Sequence, residues 1–186
     1  MNEVQFKTTM TEGSQRIAVL CIGNILKCDD GVGPRVAAEL NERFRFPDNV
    51  AVLDRATMGM QLLSEFSSFD VILTVDAVDA SGAAPGTVLS FSPKDIARYD
   101  NFHGAHDTRF ADVLDAAALL GYEVEGHCLG VQIGDTSPSE LSIGLTSAVE
   151  GAIPLVLYSV LTFLTEHGVV VIDKKTDKPW DGITIG

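Results

Sequence analysis

Cysteine is scarce in this chain. Cys21, Cys28 and Cys128 are odd in number and form no CxxC pair, which argues against a disulfide framework and against a zinc ribbon. Basic residues are also few, 13 Lys and Arg against 26 Asp and Glu, giving a formal net charge of −13. Phosphate contacts need clustered cations, so nucleic acid is a poor partner. No apolar run reaches the roughly 18–20 residues that span a bilayer. Residues 1–15 are polar and lack the apolar stretch of a signal peptide, so the expectation is a flexible leader on a cytoplasmic protein. Several chemical signatures are missing as well: GxSxG, HExxH and GxxxxGK[ST] do not occur, and the first glycine-rich turn has no GxGxxG.

What is present suits a single folded domain: 46% of the 186 residues are hydrophobic and 21% charged. Arg16 to Ile22 is apolar on both faces and reads as an interior strand of a parallel sheet. Pro34 fits a helix's first turn, and the helix expected from it runs to Phe44. Asn49 to Leu53, Asp70 to Val75, Thr87 to Phe91 and Glu125 to Ile133 read as further strands. Helices are expected at Met60 to Phe66, at Phe110 to Leu120, and from a capping box at Ser147 and Glu150 to about Glu166. These elements alternate, so the fold expected is a three-layer α/β sandwich. Its central sheet is mostly parallel and twisted, with about five strands and helices on both faces. The domain spans 16–172, and 173–186 is expected to be a polar, mobile tail.

In open α/β sheets, ligands bind beyond the carboxyl ends of the strands. Asp30, Asp54 and Asp76 fall at or just past three such ends. A lone Asp after a strand is more often a turn former or helix cap than a ligand. Three together beside glycines favour a site, because converging carboxylates repel unless a cation or shared proton relieves them. Asp29, adjacent to Asp30, is expected to be structural. Among the histidines, His127 falls in a strand and His167 near a helix end, both ordinary places. His103 and His106 lie in a polar loop before a helix. Asp30, Asp76 and one loop histidine make an oxygen, oxygen, nitrogen set that suits Zn, Ni, Mn or Fe. A dyad of Asp30 and Asp76 sharing a proton, and a Cys28–His106 nucleophile pair, are weaker alternatives.

The blocks GNILKCDDGVGPRV, LDRATMGMQLL, VDAVDASGAAPGTV, AHDTRFADVL and SIGLTSAVE, in this order and spacing, resemble the maturation endopeptidases of [NiFe] hydrogenases. The resemblance covers about Ile17 to Val170. It implies an aspartyl-type endopeptidase that removes the C-terminal extension of a [NiFe] hydrogenase large-subunit precursor. It further implies that Asp30, Asp76 and His106 bind metal, nickel supplied by the precursor, although other divalent ions could occupy the same residues. Either aspartate could serve as general base. His103 is the alternative to His106. Many members have two glycines after the aspartate of the second block, where this chain has Arg55 and Ala56, so Asp54 and Arg55 are secondary candidates. Two other functions compete: a non-catalytic, chaperone-like metal-binding protein that docks on a metalloenzyme precursor, and a small-molecule hydrolase on the same scaffold.

Overall fold

Every residue of β1 (Ile17–Ile22) is buried, as befits a strand with parallel neighbours on both sides and helices on both faces. It pairs with β3 (Val50–Ala56) on one side and β4 (Val71–Asp79) on the other. β4 pairs in parallel with β7 (Glu125–Gln132), and β5 (Val88–Phe91) closes that edge in the antiparallel sense. This computed structural model describes residues 15–56, 63–79, 82–91, 103–104, 110–134 and 141–182. The strand order β3-β1-β4-β7-β5 reverses direction between β1 and β4. A doubly wound sheet opens a crevice at such a switch point.

The pleat sorts alternate residues to opposite layers. Ile17, Val19, Cys21, Val71, Leu73 and Val75 pack against α1 (Val32–Arg43) and α4 (Ser147–Glu166). Ala18, Leu20, Ile22 and Ile72 pack against Phe66 of α2 (Leu63–Phe66) and against Val113 and Ala117 of α3 (Phe110–Leu119). The three-layer sandwich expected from the sequence is therefore observed. α4 is long and apolar enough to cross a membrane by length and composition alone. Its buried stripe, which includes Val149, Val156, Val160 and Leu164, is the wall of the core.

Four expectations need correction. α1 stops at Arg43, and Phe44 turns to extended backbone in β2 (Phe44–Arg45). Ser147 is the first helical residue of α4 and not its cap. The cap is Thr146, whose hydroxyl accepts from the Val149 N–H at 3.5 Å, because the chain before it is anchored from outside the helix. β4 does not stop at Asp76 but runs to Asp79, since β7 pairs with it as far as Val78. The tail is also not free. β8 (Ile172–Asp173) and β9 (Lys178–Pro179) form a hairpin on β2. Its turn is built by Asp173, which accepts from the N–H groups of Lys175 and Thr176 at 2.8 Å each. Those bonds hold the Asp173 carboxyl below its ordinary range. Trp180 then packs edge-on against Tyr158 at 5.6 Å between ring centroids. The expected leader lies almost wholly in 1–14, outside the described residues, as does the start of the helix expected at Met60.

Candidate active site

The turn after β1 is shaped by close backbone approach. A Cβ at Gly33 would lie 2.0 Å from the carbonyl oxygen of Ile22, and one at Gly23, where φ is +146°, would lie 1.9 Å from that of Asp30. Only glycine allows the chain to fold back this tightly over its own strand. The Asn24 N–H donates to both the backbone oxygen and Oδ2 of Asp30, each at 3.1 Å. Residues Cys28–Gly31 form a single 3-10 turn that carries Asp29 and Asp30 into the interior, where both are buried. Cys28 takes φ +49° to enter this turn, an uncommon conformation for a residue with a side chain.

The two adjacent aspartates do different work. Asp29 is fully buried and points to the start of α4. Its Oδ1 accepts from the Thr146 N–H at 2.7 Å and its Oδ2 from the Thr146 hydroxyl at 3.0 Å. Both carboxylate oxygens are thus committed to the fold, the structural role expected for it. Asp30 lies close enough to β4 for its charge to act on Asp76, and its turn packs against that strand.

Asp76 stands in β4 one residue beyond the row shared by Cys21 and Val75, and so on the opposite face. Its side chain keeps some exposure, yet enough protein surrounds the carboxyl that burial raises its pKa well above the ordinary range. A hydrogen bond from the Ala77 N–H at 2.8 Å opposes the shift, and the nearby Asp30 charge adds to it. The structure therefore brings Asp30 and Asp76 to one place, at the switch between β1 and β4.

Asp54 does not join them. It pairs in register with Cys21, which puts it on the α1 and α4 side of the sheet, and its Oδ1 is occupied by the Ala56 N–H at 3.0 Å. The register shifts beside it, with Arg55 as the extra residue of a bulge. Ala56 adopts φ +46°, where glycine would be relaxed. Asp54 is a turn former here, and it lies inside a strand that continues to Ala56.

The loop histidines are placed in part. β6 (His103–Gly104) pairs with Val78 and Asp79 of β4. β7 already holds the other side of Val78, so β6 occupies the β1 side, in line with β1 and beyond its carboxyl end. The backbone at His103 thus runs past the mouth of the Asp30–Asp76 crevice. His106 lies outside the described residues. Cys128 and Cys21 offer little as nucleophiles: burial pushes Cys128 up to about 12, and burial with the Asp54 charge raises Cys21 further. The pairing of Cys28 with His106 falls outside the described residues.

Sequence reasoning missed an apolar rim beside the crevice. Ser142 donates to the Leu26 carbonyl at 3.0 Å and accepts from Cys28 at 2.6 Å, which joins the turn to the segment before α4. Ile25, Leu26, Leu141 and Ile143 are consequently displayed together, 61%, 45%, 81% and 83% exposed. The available signal was two consecutive large apolar residues inside a turn.

The sequence profile of the hydrogenase maturation protease family matches residues 34–163. The chain is similar to the hydrogenase 2 maturation protease of Escherichia coli, 35% identical over 162 residues, covering 86% of this chain and 97% of that protein. It is 38% identical over 177 residues to the hydrogenase expression/formation protein HupM of Azotobacter chroococcum, covering 90% and 80%. Among solved structures it resembles the hydrogenase maturating endopeptidase HybD from E. coli, with a TM-score of 0.75 and 35% identity over 87% of this chain and 99% of that one.

Proposed function

The chain belongs to the hydrogenase maturation protease family and is an endopeptidase; we propose that it removes the C-terminal extension of a [NiFe] hydrogenase large-subunit precursor once nickel has been inserted. The observation that carries this reading is the meeting of Asp30 and Asp76 at the switch point, with the chain at His103 passing its mouth. Nickel enters as part of the substrate. Asp30, Asp76 and His106 are the residues that would complete its coordination, with His103 as the alternative nitrogen donor. Two carboxylates and an imidazole suit a borderline cation of this kind. A bound cation would also relieve the mutual repulsion of the aspartates, so affinity would favour precursors that carry the metal.

For the cut itself, Asp76 is suited to accept and donate a proton. Burial raises its carboxyl above the ordinary range, so it can take a proton from water and return it to the leaving amide. Asp30, held by Asn24, flanks the same crevice and serves the scissile carbonyl or its water. With protease activity assigned, the non-catalytic docking reading falls away, and so does a free-standing hydrolase of small amides.

The test is direct. Incubated with nickel-loaded precursor, the protein should shorten it by the mass of its C-terminal extension, while nickel-free precursor stays full length. Unchanged mass of the loaded precursor, beside an active control protease, would sink the proposal. Equal cutting of both forms would remove nickel recognition from it.

The apolar rim is where the precursor docks in this reading, because it borders the crevice and leaves four large side chains exposed. Leu141→Asp and Ile143→Asp should each raise KM for the precursor by roughly tenfold or more, with kcat held within about a factor of two. A matching fall in kcat with unchanged KM would place the rim in the chemistry instead of docking.

A further inference from the structure

At the amino end of the sheet, away from the carboxylate crevice, three ligand-type side chains meet. Glu125 opens β7, His127 follows on the same face, and His167 caps the C-terminus of α4. One ligand atom from each lies within 4.8 Å of the others. Nε2 of His127 is 2.7 Å from Oε1 of Glu125. Nδ1 of His167 is 2.8 Å from the Phe163 carbonyl oxygen. A carbonyl only accepts, so Nδ1 carries the hydrogen and Nε2 of His167 keeps its lone pair. Metal-binding histidines are commonly oriented by such a bond to the second nitrogen. The Phe163 ring fixes both imidazoles, edge-on to His127 at 5.0 Å and tilted over His167 at 4.2 Å between centroids.

We infer that Glu125, His127 and His167 form a second site, which binds one divalent ion of the zinc, nickel or copper class. Two imidazoles and one carboxylate suit these ions, whereas calcium and magnesium prefer oxygen alone. The site lies at the negative end of the α4 dipole, which favours a cation. The Glu125 side chain is 50% exposed and that of His127 24%, so an ion has a way in and water can fill its remaining positions. It is separate from the crevice. Glu125 and His127 pair with Val71 and Leu73, five and three residues before Asp76, a separation of roughly 10–17 Å along the strand. The bound ion ties the end of α4 to the first residues of β7, so its effect is on stability.

Full-length protein stripped of metal with a chelator and titrated with Co2+ tests this. At least one equivalent should bind, with visible d–d absorption, and one should persist in the Asp30→Asn/Asp76→Asn double variant, where the crevice carboxylates are gone. Binding should weaken at least about tenfold in His127→Ala/His167→Ala. Glu125→Gln, at an exposed position where folding is not at risk, should weaken it similarly. Zn2+ at about a hundredfold excess over Kd should raise the melting temperature of the wild type by roughly 5–10 °C. The inference is overturned if Co2+ binds Glu125→Gln as it binds the wild type. It is equally overturned if the wild type shows no d–d band, or if the bound equivalent disappears with Asp30 and Asp76 alone.

Discussion

Asp76→Asn is expected to lower processing by about 10²–10⁴-fold and, in metal-free protein at pH 7, to raise the melting temperature. The two effects share a cause. Burial, and secondarily the charge of Asp30, raises the Asp76 pKa in the folded state. The folded protein therefore holds that proton more tightly than the unfolded chain does. Stability from this group is complete below the unfolded value, about 3.9, and is lost as pH climbs through the raised folded value. At neutral pH the unfolded chain ionises this carboxyl freely while the folded site resists its charge, and asparagine removes the conflict while keeping the shape. Melting curves of both proteins from pH 4 to pH 8 should converge at the acid end and separate upward. A variant less stable than wild type across the whole range would show that Asp76 is a structural residue.

Asp29→Ala should do the reverse: about 3–4 kcal/mol of stability lost, or roughly 10 °C in melting temperature. Two hydrogen bonds to a charged acceptor disappear, and the Thr146 N–H loses its partner beneath α4. Thr146→Ala keeps the backbone bond to Asp29 and should cost only about 1–2 kcal/mol. The double variant should then cost about 1–2 kcal/mol less than the sum, because the two changes share the hydroxyl–carboxylate bond. Urea unfolding of the four proteins measures this. Additive losses would mean that the hydroxyl–carboxylate bond contributes nothing.

The contrast between neighbouring aspartates shows what sequence can and cannot carry. Apolar runs and glycine turns are local, so the strands, the layer order and the strand-to-helix turn at Gly23–Gly33 were legible. The nearness of Asp30 and Asp76 was legible because both follow apolar runs that read as neighbouring parallel strands. Asp54 was misread as lying past a strand end, because nothing local signals the bulge at Arg55 that prolongs pairing to Ala56. The tail was misread for a similar reason: a polar hairpin is stabilised by its partner, here Phe44 and Arg45, which stand far back in the chain. His127 and His167 looked ordinary because 40 positions separate them, and only the packing of α4 on β7 brings their rings within 6.2 Å.

The Asp29–Thr146 connection also bears on when the enzyme becomes competent. Its partners are 117 positions apart, so the turn that presents Asp30 is anchored only after α4 has been made and docked. Contacts of such separation form late, after the entropy of closing the intervening chain has been overcome. A ribosome-bound chain lacking α4 should hold its carboxylates in no fixed arrangement, and proteolytic capacity should emerge only after α4 has been made. For a protease, that ordering is itself a safeguard against premature cutting.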